Sequence, residues 1–184
     1  MNRRLAVLAL AFTLAGCGGG DNGPPSASED YANSVCRDLS TWVADQQATL
    51  KSLEDAGPSI SREDLRAAVV RVRDSTQVLV LLNLSQLDVP ESDVGNQSKT
   101  ELANLGMKLA QELGMVEQAL DANTGVVAAL ASMLTSALST GINDVKSTLD
   151  ELQNLDSDEL KDAFQDSDEC SMLRDQVESI GSDS

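Results

Sequence analysis

The chain has 184 residues, of which 30 are acidic and 13 are basic, so its formal net charge at pH 7 is −17. Such a charge repels nucleic acid and anionic lipid headgroups, so neither is an expected partner. The sequence contains no histidine, one tryptophan, one tyrosine and two phenylalanines. Without histidine the commonest general base and the usual Ser-His and Cys-His nucleophile pairs are absent, and an enzyme is not expected.

The first sixteen residues have the layout of an export signal. The basic pair Arg3-Arg4 precedes an apolar run over residues 5–14, and two small residues follow before Cys17. The apolar run is too short to remain in the bilayer as a span. The segment therefore predicts a cleaved signal peptide over residues 1–16.

The four residues Leu14-Ala15-Gly16-Cys17 resemble the lipobox of bacterial lipoproteins. The resemblance implies that Cys17 is diacylated and becomes the mature N-terminus, with the exported protein anchored to the outer face of the cell membrane. Two acyl chains give stable anchoring, whereas one binds only marginally. Gly18, the residue after the lipidated cysteine, is not an inner-membrane retention signal. In a Gram-negative bacterium the protein would therefore be sent to the outer membrane. Two alternatives stay open: an ordinary signal peptidase site before a chance cysteine, and a twin-arginine signal.

Two further cysteines, Cys36 and Cys170, remain once Cys17 is lipidated. An even pair in an exported chain favours a disulfide, and a reactive thiol is the alternative interpretation. The bridge would enclose most of the mature chain, for which the chain-entropy model gives roughly 4–5 kcal/mol of stabilisation.

Residues 17–28 are rich in glycine, proline and serine and predict a flexible tether after the lipidated cysteine. From Glu29 the apolar residues follow a helical period, which predicts a first helix ending near Gly57-Pro58. Its predicted inward residues are Val35, Leu39, Trp42, Thr49 or Leu50, and Leu53, with Gln46 interrupting the stripe.

Ser61 is a favourable N-cap for a second helix. The helix is predicted to continue through the apolar run of residues 78–82, which by itself could also form a strand. Its predicted inward residues are Leu65, Val69, Val72, Thr76 and Leu79.

Residues 88–96 predict a polar loop, after which Ser98 and Glu101 match a capping box that would begin a third helix. A break at residues 123–125 separates it from a fourth helix, predicted from Val126 to about Leu155, which Gly141 could kink or split. The predicted inward residues are Leu102, Leu105, Leu109, Leu113, Val116 and Leu120 in the third helix, and Val127, Leu130, Leu134, Leu138, Val145, Leu149 and Leu152 in the fourth.

The uncharged stretch 122–143 is rich in small polar residues, which favours a buried helix over a membrane span. A short acidic helix and a last helix from about Ser167 to Ser179 follow, and residues 181–184 predict a disordered tail. The whole pattern predicts an all-α fold over residues 29–180, an antiparallel four-helix bundle with a short C-terminal helix, closed by one disulfide. In such a bundle the ends that carry Cys36 and Cys170 lie together.

Two charged segments are candidates for chemistry. The acidic residues 156–169 match no calcium-binding loop in either possible frame, so we expect no metal site there. Arg62, Arg66 and Arg73 lie near one face of the second helix and are candidates for anion or partner contact. The alternative is that these arginines pair with acids on neighbouring helices.

No catalytic motif is present, and neither a metal nor another cofactor is expected. The sequence predicts a non-catalytic cell-envelope lipoprotein that acts as a binding or scaffolding module, attached to the membrane by its lipid, with another envelope protein as a candidate partner. The alternative function is a carrier of lipid or of another small apolar ligand within the bundle, for which the small residues between Val126 and Leu138 could leave room. In composition and layout the chain is similar to small uncharacterised helical lipoproteins of high-GC Gram-positive bacteria.

Overall fold

The computed structural model describes residues 26–122 and 126–181, and within these ranges the chain is helical almost throughout, with no strand. The prediction of an all-α fold is confirmed. The predicted signal peptide, Cys17, most of the predicted tether, the predicted break at 123–125 and the last three residues lie outside the described residues. The six α-helices are α1 (Ala27–Ala56), α2 (Arg62–Gln77), α3 (Asp93–Asp121), α4 (Val127–Leu152), α5 (Asp158–Asp166) and α6 (Asp168–Gly181).

Helix α1 begins two residues before its predicted start at Glu29. Ser26 is the N-cap: the Glu29 N–H donates to Ser26 Oγ at 3.2 Å, and the Ser26 N–H donates to Glu29 Oε2 at 2.6 Å. This reciprocal capping box makes residues 27 and 28 helical rather than part of the tether. The helix ends at Ala56, as predicted, and Gly57 follows with a φ of 52°, which glycine adopts without strain.

Helix α2 begins after Ser61, whose Oγ accepts from the Asp64 N–H at 3.1 Å, so the predicted N-cap is confirmed. The α-helical hydrogen bonding ends at Gln77. The chain then continues as a π-helical segment, Val78–Asn83, and as a 3₁₀ turn, Leu84–Gln86. The apolar run is therefore helical, as predicted, but in a wider form that is rare and that frequently marks functional sites.

Helix α3 begins at Asp93, and the predicted start at Ser98 is wrong. The N-cap is Ser92, whose Oγ accepts from the Gly95 N–H at 2.9 Å. Ser98 is fully buried inside the helix, where its hydroxyl lies 2.9 Å from the Tyr31 hydroxyl of α1. The capping-box pattern at Ser98 is a local signal, and it fails because a tertiary hydrogen bond engages the same hydroxyl.

The inward stripes of α3 and α4 are largely as predicted. Every predicted inward residue of α3 is buried, and so is every one of α4 except Val127, which is half-buried. Helix α4 ends at Leu152, short of the predicted Leu155, although Leu155 is also buried.

The buried apolar side chains form two clusters, which we call proximal and distal according to their position along α1 from its start. The proximal cluster includes Val35, Leu39, Leu105, Leu149, Phe164 and Leu173. The distal cluster includes Leu65, Val69, Val116, Leu120, Leu130 and Leu134. Helices α5 and α6 contribute only to the proximal cluster. Two more helices therefore pack around the proximal cluster than around the distal one.

A band of buried polar side chains lies between the clusters. Along α1, Gln46 and Thr49 lie between the residues of the proximal cluster and Leu53 of the distal cluster. Along α2, Thr76 lies between Val72 of the distal cluster and the proximal residue Leu79 that follows the helix. Thr76 Oγ1 accepts a hydrogen bond from the indole of Trp42 at 3.0 Å. This bond fixes the indole ring at the boundary between the two clusters.

Helix α4 runs without a break through Gly141, so this glycine does not split the helix. The glycine permits a close approach instead. A Cβ atom at this position would lie 2.9 Å from Leu109 Cδ2 and 3.1 Å from Trp42 Cη2. Only a residue without a side chain lets α1, α3 and α4 approach so closely here.

Helix α6 lies alongside the first half of α1. Ser167 Oγ donates to Asn33 Oδ1 at 2.7 Å, and Ser40 Oγ donates to Gln176 Oε1 at 2.8 Å. Between these two contacts, Cys36 and Cys170 form the predicted disulfide, with their Cα atoms 4.9 Å apart. The contacts advance in the same direction along both helices, so α6 is parallel to α1.

Candidate functional site

The predicted arginine site lies on α2, where the structure brings two of its three residues together. Arg66 and Arg73 line a groove of about 260 Å³ between α2 and α3. Glu117 and Asp121 of α3 line the same groove, so its two cations face two anions. Arg62, the first residue of α2, is half-buried and does not line this groove.

Arg73 is engaged by carboxylates on both sides. Its Nη2 lies 2.9 Å from Asp74 Oδ1 on the same helix, and its Nη1 lies 3.5 Å from Glu117 Oε1 on α3. The hydrogen bond and charge of Asp74, followed by those of Glu117, raise the pKa of Arg73. These contacts support the interpretation that the arginine pairs with neighbouring acids, while the anion or partner contact at Arg62, Arg66 and Arg73 stays a prediction.

The acidic segment contributes to helix starts and to packing contacts. Ser157 caps α5, and Asp158 and Glu159 occupy its first turn, where carboxylates are favoured by the helix dipole. Glu159 also accepts a hydrogen bond from Ser28 Oγ of α1 at 2.7 Å. Within the described ranges, no three or more histidine, cysteine, aspartate or glutamate side chains gather as metal ligands would.

The disulfide is enclosed by protein on all sides. Cys36 and Cys170 are both 0% exposed. Ser167, which bonds Asn33 of α1, also accepts from the Cys170 N–H at 3.1 Å and so caps the start of α6. The two sulfur atoms are bonded to each other, and the alternative of a reactive thiol at these positions is wrong for this structure.

Tyr31 is buried in the proximal cluster, although no pattern in the sequence predicts that it is buried. Its ring packs edge-on against Phe164, with centroids 5.9 Å apart and an interplanar angle of 82°. Its hydroxyl is paired with that of Ser98, which is 67 residues away in the chain. Burial raises the pKa of Tyr31, and the hydrogen bond to Ser98 offsets part of this effect. A lone tyrosine beside a predicted tether carries no local signal for such a contact.

Raising the pH should destabilise the protein through Tyr31. The unfolded tyrosine ionises near pH 10, whereas the folded one retains its proton to higher pH, so this contribution to stability falls as the pH rises above about 10. Tyr31 is the only tyrosine, so absorbance at 295 nm reports its ionisation alone. We expect half-ionisation of the folded protein above pH 10; a midpoint at or below 10 would contradict the burial of the hydroxyl.

The variant Tyr31→Phe is the matched control for this titration. It should abolish the rise in absorbance at 295 nm and, at neutral pH, lower the free energy of unfolding by about 1–2 kcal/mol. The cause is that the buried Ser98 hydroxyl loses its partner.

The described residues include no helix that is both long and apolar enough to cross a membrane. The chain matches no known family model, no curated protein and no solved structure.

Proposed function

We propose that this protein is a non-catalytic lipoprotein of the cell envelope, anchored to the membrane by Cys17 and acting as a binding or scaffolding module. The observation that carries the proposal is the sequence Leu14-Ala15-Gly16-Cys17 at the end of an export signal. The protein is then exported and held at the outer face of the cell membrane, or in the outer membrane of a Gram-negative cell.

The disulfide supports the export part of the proposal. Disulfides persist in oxidising compartments outside the cytosol and are rare within it. The Cys36–Cys170 bridge joins α1 to α6 across a sequence separation of 134 residues and is fully buried. A buried structural disulfide of this kind is typical of exported domains. Because Cys36 and Cys170 are bonded to each other, Cys17 is the one cysteine left for the attachment of lipid.

The start of α1 gives the domain an orientation. Residues 18–25 connect Cys17 to Ser26, the N-cap of α1, so the proximal end of the domain lies next to the anchor. Helix α1 has 30 residues and is therefore about 45 Å long. The turn at Gly57 lies at its other end, and we propose that this end faces away from the membrane and is open to a partner.

We propose that α1–α4 form the antiparallel four-helix bundle, with α5 and α6 covering its proximal half. Supporting contacts that α2 and the π-helical segment after it make with α3 run in opposite directions along the chain: Val80 packs on Gly106, and the earlier Arg73 pairs with the later Glu117. The same reversal relates α3 to α4: the earlier Leu109 and the later Val145 lie in the proximal cluster, whereas the later Val116 and the earlier Leu134 lie in the distal cluster.

The alternative of an apolar-ligand carrier has less support. The small residues of α4 that motivated it include Ala128, Ser132 and Ser136, and all three are exposed. They line an open groove of about 460 Å³ beside the Gly57 turn of α1. A groove of small side chains on the surface is a weaker argument for a carrier than an enclosed apolar cavity.

Cell fractionation tests the proposed function. The wild-type protein should sediment with membranes, and Cys17→Ser should abolish processing to the mature form, so that an uncleaved precursor accumulates. The matched control is the double variant Cys36→Ser with Cys170→Ser, which retains Cys17 and should stay in the membrane fraction. Equal fractionation and processing of the wild type and Cys17→Ser would refute the anchor.

A further inference from the structure

The methionine side chains of this protein lie on its surface. The chain has five methionines, and Met1 opens the predicted signal peptide. The other four lie on α3, α4 and α6, with exposed fractions of 64%, 49%, 41% and 55% at Met107, Met115, Met133 and Met172, which we call the surface methionines. In residues 26–122 and 126–181 no methionine is buried, although methionine is among the residues most often found inside proteins.

The core uses other aliphatic residues at the positions next to these methionines. Leu134 directly follows Met133 and is 0% exposed, and Leu173 directly follows Met172 and is also 0% exposed. Successive residues of an α-helix point about 100° apart, so each helix turns leucine toward the core and methionine toward solvent. A change in the polarity of the surface methionines therefore leaves the packing of the core intact.

The other side chains that oxidants commonly attack are shielded in the described part of the chain. Trp42 and Tyr31 are each 3% exposed, and the sulfur atoms of Cys36 and Cys170 are bonded to each other in the core. The sequence contains no histidine. Among residues 26–122 and 126–181, the thioethers of the surface methionines are thus the sulfur groups that an oxidant in solution reaches.

Oxidation of methionine to the sulfoxide converts an apolar side chain into a polar one, which disrupts a core but points into water on a surface. With hypochlorous acid, the thioether sulfur attacks the chlorine atom, an S–Cl bond forms, the O–Cl bond breaks and hydroxide leaves. Water then bonds its oxygen to the sulfur, chloride leaves, and two protons are released, one of which neutralises the hydroxide. The sulfur loses two electrons and the chlorine gains them, so each sulfoxide converts one hypochlorous acid into a proton and chloride.

We infer that the surface methionines are oxidation sites at which the folded protein consumes hypochlorous acid, one molecule for each sulfur, without losing its fold. The inference goes beyond the proposed binding module and holds whether or not Cys17 carries lipid. Leu81 and Leu82 are similarly exposed, at 62% and 58%, but have no sulfur, so they take no part in this chemistry. An exported protein meets oxidants outside the reducing cytosol, where such sites are useful.

Oxidant titration of the purified full-length protein tests this inference. Hypochlorous acid is added in steps, and peptide mass spectrometry follows each residue separately, so that oxidation at Cys17 does not enter the comparison. The surface methionines should be converted to sulfoxides while Trp42 and Tyr31 remain unmodified. The helical circular dichroism should be retained, and the thermal midpoint should change by less than about 5 °C, because the new polar groups lie in solvent.

A variant with leucine at all four positions removes the sulfur and conserves the side-chain volume. It should keep the fold and consume about four fewer molecules of hypochlorous acid per protein than the wild type, as measured by the residual oxidant that bleaches a coloured thiol. The single variant Met107→Leu should consume about one molecule fewer, which retains the test if the fourfold variant does not fold.

The matched control places a thioether in the core. Leu105 is 1% exposed and lies two positions before Met107 on α3. In Leu105→Met, the thioether at position 105 should be oxidised at least about tenfold more slowly than that of Met107, because the folded protein shields it. Equal rates at positions 105 and 107 would show that exposure does not select the reacting sulfurs.

Three further results would overturn the inference. The first is loss of the helical signal as the sulfoxides form, and the second is oxidation of Trp42 before the surface methionines. The third is a folded leucine variant, fourfold or single, that consumes as much hypochlorous acid as the wild type, since other groups would then remove the oxidant.

Discussion

Removing the disulfide, by changing both Cys36 and Cys170 to alanine, should lower the free energy of unfolding by about 3–5 kcal/mol. The bridge links residues separated by 134 positions, so without it the unfolded chain gains a large amount of conformational freedom. In the folded state the bridge also joins α6 to α1, which are otherwise linked by a few hydrogen bonds, by the ion pair of Arg37 with Glu169 and by apolar packing.

Equilibrium urea denaturation measures this loss, with the fluorescence of Trp42, the only tryptophan, as the probe. The dependence of the unfolding free energy on urea should become steeper, because the unfolded state without the bridge is more expanded. Wild-type protein reduced with dithiothreitol in denaturant is the control and should unfold at the midpoint of the double variant. A loss below about 1 kcal/mol would show that the bridge contributes little to the stability of this fold.

Replacing Gly141 with valine should lower the free energy of unfolding by about 1–3 kcal/mol. The new side chain would meet Leu109 Cδ2 and the Trp42 ring, since even a Cβ atom there would lie at 2.9 and 3.1 Å from them. Leu109 can change rotamer, but the indole of Trp42 is fixed by its hydrogen bond to Thr76 at 3.0 Å. The valine therefore either breaks that bond or separates α4 from α1.

Gly114 of α3 provides the matched control for Gly141. A Cβ atom at Gly114 would have no atom within 4 Å, so Gly114→Val should change the free energy of unfolding by less than about 0.5 kcal/mol. Thermal or urea unfolding of both variants, followed by Trp42 fluorescence, gives the comparison. Losses of equal size at the two glycines would mean that close packing at Gly141 is not the cause.

The elements of this fold that depend on local patterns could be predicted from the sequence. Ser61 as an N-cap, the end of α1 before Gly57 and the apolar stripe of α3 each follow from residues within a few turns of helix. The Cys36–Cys170 pairing was also predictable, because an even number of cysteines in an exported chain leaves one choice once Cys17 is set aside.

The errors occur where distant residues decide the local structure. Ser98 satisfies the capping-box pattern, but its hydroxyl lies within hydrogen-bond distance of that of Tyr31, and the helix begins earlier, directly after its N-cap Ser92. Gly141 reads as a helix breaker in isolation, and only the approach of Trp42 shows that it is a packing position. Neither contact can be seen in the sequence, since each joins residues that are far apart along the chain.

The candidate site was predictable only in part. The helical spacing of Arg66 and Arg73 placed them near one face, and the structure puts both in the α2–α3 groove. Glu117, which pairs with Arg73, comes from another helix and has no signal in the spacing. The exposed Leu81 and Leu82 did leave a signal, because five consecutive apolar residues cannot all face inward on an amphipathic helix.

The mass of the mature N-terminal peptide tests the proposed anchor most directly. Protein extracted from membranes should yield, after digestion, a peptide that begins at Cys17 and carries the added mass of a diacylglycerol on its sulfur. The peptide beginning at Asn2 or Met1 should be absent. A mature chain that begins at another residue, or an unmodified Cys17 in the membrane fraction, would contradict the proposal that this protein is a lipid-anchored module of the cell envelope.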